Sequence, residues 1–71
     1  MHSKDLIEAI KTRRDHLNVT QDMLAELSGV GLRTLKQFES GKGNPTLETL
    51  QKLGDALGMA LTFEVKELTT K

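Results

Sequence analysis

A chain of 71 residues with ten acids, ten bases and no cysteine fits one small domain, and it excludes disulfide staples and thiolate metal sites. Zero formal net charge argues against a surface coated in positive charge, although a local basic face would still suffice for nucleic acid. With aromatics at 3%, the core has to be built from Leu, Ile, Met and two Phe, and a core this small gains from a second subunit.

Taken in chain order, Ser3 or Lys4 opens a first helix that runs to about residue 16, with Leu6, Ile7 and Ile10 as its inner face. Asp5 and Glu8 sit early and Lys11, Arg13 and Arg14 late, as the helix dipole favours. Arg13 reads as a solvated residue within reach of a phosphate. Asn18 is a left-handed stop, and Leu17 and Val19 anchor the turn. A second helix spans about residues 20–27, capped by Thr20, with Gln21 and Asp22 in its first turn. Its apolar face is Met23, Leu24 and Leu27. Ser28-Gly29 ends it, because Gly takes the left-handed cap without strain, and Val30 plugs the turn.

A third helix covers about residues 32–40 and stops at Gly41. At about 100° per residue, Thr34, Leu35 and Phe38 face one way and Arg33, Lys36 and Gln37 the other, with Leu32 at the edge. A helix this short holds only if its rear packs on neighbours. The front then displays residue types that hydrogen-bond base edges in the DNA major groove. A buried rear, a short Gly-containing turn and a polar front are what a helix-turn-helix requires. The loop Gly41-Lys-Gly-Asn-Pro45 is rich in turn formers. It reads either as a plain turn or as a phosphate-contacting loop with Lys42, Gly43 and Asn44.

Thr46 caps a fourth helix over about residues 46–57, with Leu47, Leu50, Leu53 and Leu57 at core spacing. Gly54 allows close packing and Gly58 ends the helix. The period then changes. Met59, Leu61, Phe63 and Val65 alternate with Ala60, Thr62 and Glu64, which predicts a half-buried strand over about residues 59–65. A lone strand leaves its backbone groups unpaired, so the expected partner is the same strand of a second subunit, antiparallel about a two-fold axis. Lys66 to Lys71 are polar and expected to fray.

The landmarks Arg14, Gln21, Leu24-Ala25, Gly29-Val30, Glu39-Ser-Gly-Lys42 and Pro45 resemble the XRE family of helix-turn-helix repressors, the Cro and phage-repressor type. The chain departs from that family at Gly31, where Ser is frequent, and at Leu32, where a polar residue is usual. The resemblance implies an all-α fold of the four-helix lambda-repressor-like type, here with one C-terminal strand that completes the dimer as a two-stranded antiparallel ribbon. The whole of residues 1–71 is then a single DNA-binding domain. It implies base contacts from Leu32, Arg33, Lys36 and Gln37, and phosphate contacts from Thr20, Gln21, Lys42, Gly43 and Asn44. It also places Arg14 opposite Glu39 as a structural ion pair, and Met59, Leu61, Phe63 and Val65 in the dimer seam. The terminal strand narrows the resemblance to HipB-type antitoxin regulators, which repress their own operon and bind a HipA-like kinase toxin.

The expected partners are therefore double-stranded DNA carrying a palindromic operator, a second copy of the chain and a HipA-like kinase. The alternatives are a stand-alone repressor and a protein-interaction module that has lost DNA binding. His2 and His16 lack any spaced set of ligands, and there is no nucleophile triad or phosphate-binding Gly fingerprint, so neither an enzyme, a metal nor a cofactor is expected. The opening residues resemble neither a signal peptide nor a membrane span, and a cytoplasmic protein is the expectation.

Overall fold

The computed structural model describes residues 3–63 and 65; Met1, His2, the side chain of Ser3, Glu64 and the tail from Lys66 to Lys71 lie outside the described residues. Four helices follow one another: α1 (Ser3–His16), α2 (Gln21–Ser28), α3 (Leu32–Glu39) and α4 (Leu47–Ala56). Local chemistry sets their limits. Thr20 and Thr46 stand in extended backbone before α2 and α4, and each hydroxyl accepts the N–H three residues on, from Met23 and Thr49, at 3.1 Å. Such caps satisfy donors that the first helical turn leaves open.

Three of the helices end in the same way. The Asn18 N–H donates to Asp15 O at 3.0 Å and the Val19 N–H to Arg14 O at 3.0 Å, closing α1 with Asn18 at φ 57°. Gly41 and Lys42 close α3 on Phe38 O (3.1 Å) and Gln37 O (2.9 Å). Gly58 and Met59 close α4 on Asp55 O (3.2 Å) and Gly54 O (2.8 Å). These paired bonds turn the chain sharply while using carbonyls that would otherwise be orphaned. In α2 a single bond from the Gly29 N–H to Ala25 O (3.0 Å) does the same, with Gly29 at φ 78°. The Val30 N–H then donates to Ser28 Oγ at 3.1 Å, which seats Val30 in the turn.

The core gathers one or two residues from each element: Ile10, Leu24, Val30, Leu35, Phe38, Leu53 and Leu57, with Ile7, Val19, Ala25, Leu50, Ala56 and Met59 packed around them. Helix α2 sits between α3 and α4, and α1 packs on α3. This arrangement corrects two of the sequence expectations. On α2 only Leu24 is buried, and Leu27 is 63% exposed, with Met23 also exposed. The inward face of α2 runs instead through Gln21, Leu24, Ala25 and Ser28, because small and polar residues let it lie close to two helices at once. On α4, Leu47 is 56% exposed while Leu53 and Leu57 are buried; the first turn projects past the core.

Residues 59–63 and 65 form no strand within the single chain. Met59 and Leu61 are half-buried, whereas Phe63 is 95% and Val65 98% exposed. Among the described residues no helix is long and apolar enough to cross a membrane.

The packing separates two leucines that look alike in the sequence. Leu53→Ala should lower unfolding free energy by about 2–5 kcal/mol through cavity formation. Leu27→Ala should change it by no more than about 0.5 kcal/mol. Urea unfolding of both variants checks this; equal losses would show that α2 packs differently.

Candidate nucleic-acid interface

Helix α3 divides its eight residues between two opposite arcs. Leu35, Phe38 and Glu39 are buried. Arg33, Lys36, Gln37 and Ser40 are exposed at i, i+3, i+4 and i+7, a spacing that keeps them on one side. Leu32 is half-buried at the edge of this face. Thr34, expected at the rear, is exposed. The inward arc is rotated because Glu39, an acid, occupies part of it.

Glu39 is buried for a specific reason. Its Oε2 accepts from Arg14 Nε at 2.8 Å and its Oε1 from Arg14 Nη2 at 2.9 Å, a two-pronged pairing. Gln21 Nε2 also donates to Glu39 Oε1 at 3.0 Å. Arg14 Nη1 reaches back to Val19 O at 2.9 Å, at the end of the α1–α2 turn. One carboxylate thus ties α1, α2 and α3 together, and no buried side-chain polar atom is left without a partner among the described residues. The hydrogen bond to Glu39 raises the Arg14 pKa above its ordinary value, with the Glu39 and Asp15 charges acting the same way against desolvation.

The structure places the residues singled out in the sequence in three groups. Leu32, Arg33, Lys36 and Gln37 line one open depression together with Ser40 and Lys42. Gln37, Lys42, Gly43 and Asn44 border a second, smaller one beside Thr34, Phe38 and Pro45. Thr20 and Gln21 open α2, where Gln21 joins α3 through Glu39. One amide hydrogen of Gln21 is therefore engaged inside. The sequence reading missed that inward bond. It also missed Ser40 on the front face, whose hydroxyl donates to Gln37 O at 3.0 Å.

Arg13 requires a larger correction. Expected as a solvated residue, it is half-buried, and its Nε donates to Leu57 O at 3.0 Å across 44 residues of chain. It is part of the scaffold rather than of the exposed face.

The electrostatics follow from this sorting. Among the described residues Arg33, Lys36 and Lys42 have no ion pair or side-chain hydrogen bond, and the only acid on α3 is turned inward and neutralised by Arg14. A chain of zero net charge therefore presents a locally cationic, hydrogen-bonding face. Among the described residues no group of three or more His, Cys, Asp or Glu could hold a metal ion.

The helix-turn-helix family model matches residues 10–63, which include α2, α3 and the turn between them. The chain is 39% identical over 54 residues to the cryptic phage CTXphi transcriptional repressor RstR of Vibrio cholerae, covering 76% of this chain and 48% of that protein. It is 42% identical over 58 residues to an HTH-type transcriptional regulator of Haemophilus influenzae, covering 82% and 59%. It is 32% identical over 59 residues to the SPbeta prophage-derived HTH-type regulator YonR of Bacillus subtilis, covering 83% and 55%. The chain thus spans about half the length of the curated relatives it matches.

Removing one partner of the buried pair tests its place in the fold. Glu39→Ala leaves the Arg14 guanidinium without its counter-charge and should cost about 3–5 kcal/mol. The double variant Arg14→Met, Glu39→Leu should recover much of that loss, since an apolar pair of similar size removes both charges. Chemical denaturation of the two proteins decides it, and a double variant no better than the single would show that the apolar pair does not fit.

Proposed function

The chain belongs to the XRE-type helix-turn-helix family, and from that premise we propose that it is a sequence-specific DNA-binding repressor acting as a homodimer. The observation that carries this function is the exposed cationic and amide face of α3, Arg33, Lys36 and Gln37, set opposite the buried Leu35, Phe38 and Glu39. In the proposed complex α3 lies in the major groove. Arg33 pairs with a guanine and Gln37 with an adenine, Leu32 touches a thymine methyl, and Lys36 reaches a base or phosphate. Thr20, Gln21, Lys42, Gly43 and Asn44 hold phosphates and carry no sequence information. The free N–H groups and dipole at the start of α2 assist Thr20 and Gln21.

One recognition helix and a few phosphate contacts give weak binding, so the second copy matters. We assign the seam to Met59, Leu61, Phe63 and Val65, pairing about a two-fold axis. Two α3 helices held about 34 Å apart read half-sites one turn of DNA apart. The exposure of Phe63 and Val65 in the single chain supports this assignment. The same segment is the sole support for a HipB-like antitoxin that holds a HipA-like kinase. The names of the phage repressor and the prophage-derived regulator favour a stand-alone repressor.

The test is a gel shift of the purified chain against DNA upstream of its own gene, with and without the product of the adjacent gene. Specific retardation by the chain alone supports the repressor. Retardation only with the second protein would move the activity to a complex, and none at all would leave an interaction module.

Two substitutions separate base reading from positioning. Arg33→Ala should relax preference at one position of each half-site by about 1–3 kcal/mol, read from selection over a randomised operator library. An unchanged profile would take Arg33 out of the groove. Lys42→Ala should weaken all sequences alike and lower the salt slope by about one for each lost phosphate contact; an unaltered slope would place Lys42 off the DNA.

A further inference from the structure

The segment that leaves α4 is held at its root by two hydrogen bonds. The Met59 N–H donates to Gly54 O at 2.8 Å, inside the turn made by Gly58 at φ 72°. Arg13, from the last turn of α1, donates its Nε to Leu57 O at 3.0 Å, and its Nη2 would lie 3.6 Å from a Cβ placed on Gly58. Gly54 itself is buried, and a Cβ there would stand 3.3 Å from Met59 O, with the Met59 carbonyl carbon and Cβ at 3.8 Å. The absence of a side chain at residue 54 lets the departing backbone lie directly on the helix it has just left. From that root, residues 59–62 run along an apolar cleft walled by Leu6, Ala9 and Ile10 of α1 and Leu50 of α4.

We infer that Arg13 and Gly54 are positioning residues for dimerisation: they set the direction in which the arm 59–65 leaves the domain, and through it the distance between the two recognition helices. The inference rests on the arm-mediated dimer proposed above. Its physical basis is leverage. Among the described residues Phe63 and Val65 are almost fully exposed, so their placement is inherited from the root of the arm. A side chain at residue 54 has to push the Met59 carbonyl by a few tenths of an ångström, and that carbonyl is backbone, in the same residue whose N–H is anchored to Gly54 O. Loss of the Arg13 donor frees the carbonyl of Leu57, which caps α4, and unties the root from α1. A guanidinium suits this role because it stacks its stem on the surface while its head meets a helix C-terminal carbonyl, where a positive charge is favoured.

Neither residue lies on the front of α3, so recognition of one half-site should survive both substitutions. This separates positioning from a merely structural role. The experiment uses the full chain and the variants Gly54→Ala and Arg13→Met. Gly54→Ala keeps the helix, since Ala is the better helix former. Arg13→Met keeps the apolar stem and removes the donor. Sedimentation gives the dimer constant, and gel shifts measure binding to a single half-site and to paired half-sites whose spacing is varied in single base pairs.

The wild type should prefer one spacing. Both variants should retain circular dichroism and single-half-site affinity, weaken the dimer, by about tenfold in Arg13→Met where one charged hydrogen bond is lost, and bind the paired sites with a flattened spacing preference. Unchanged dimer constants and spacing preference in both variants would overturn the inference, provided that a chain ending at Gly58 is monomeric. If that truncated chain still dimerises, the arm-mediated dimer itself is wrong, and the inference falls with it. If Arg13→Met unfolds, Gly54→Ala decides alone.

Discussion

Burial of the Glu39 carboxylate is the constraint on which the rest of the molecule depends. An acid in an apolar interior is tolerable only when its charge is met and its lone pairs are used. Arg14 supplies two donors and Gln21 a third, and each comes from a different helix. The requirement runs both ways. Once Arg14 is committed to Glu39, its remaining nitrogen is placed to take Val19 O, which fixes the α1–α2 turn. The angle of α3 relative to the two helices behind it is therefore set by directional bonds as well as by the contacts of Leu35 and Phe38. Apolar packing alone is nondirectional and would tolerate small rotations of so short a helix. A forked guanidinium–carboxylate pair does not.

The same pair shapes the electrostatics of the surface. Were Glu39 exposed, its charge would stand on α3 among Arg33 and Lys36 and oppose them. Turned inward, it is cancelled where it stands, and the field outside is dominated by the cations that remain. Overall neutrality and a cationic face are compatible because the acids that balance the sum stand off the front of α3, on α1, α2 and α4, near the end of the sequence and inside the core. Composition reports the sum and is silent on the sorting.

Much of the fold was legible in the sequence, because its punctuation is chemical and local. Thr20 and Thr46 before a helix, and Asn18, Gly29, Gly41 and Gly58 after one, act within a few residues of themselves, and the helices begin and end where these residues stand. The buried choice of Leu35, Phe38 and Leu53 was legible from period alone. What was illegible depends on partners distant in the chain. Met23, Leu27 and Leu47 have the right period and lack a neighbour to cover them in the single chain. Arg13 and Arg14 are adjacent and identical in type. The resemblance to the repressor family set Arg14 apart, yet nothing local could show that Arg13 meets a carbonyl 44 residues away. Gln21 suited the surface by polarity and turned inward because Glu39 was there to accept its hydrogen bond. The segment after Gly58 has the period of a strand, but a ladder needs a second edge, and one chain carries only one such segment.

The division of α3 into two arcs that share no residue has a consequence for how such a protein can change. The residues that hold the helix and the residues that face outward are separate sets, so selection can act on one without taxing the other. Replacing Arg33, Lys36 or Gln37 removes no interior contact and opens no cavity, and exposed positions of this kind tolerate exchange with little effect on folding. A lineage can thus drift through successive front faces on an unaltered frame. Change is slowest at Arg14, Gln21 and Glu39, where any single step passes through an unpaired buried group before a second step can restore balance. The molecule carries its stability and its selectivity on opposite sides of the same two turns of helix, and each can evolve at its own pace.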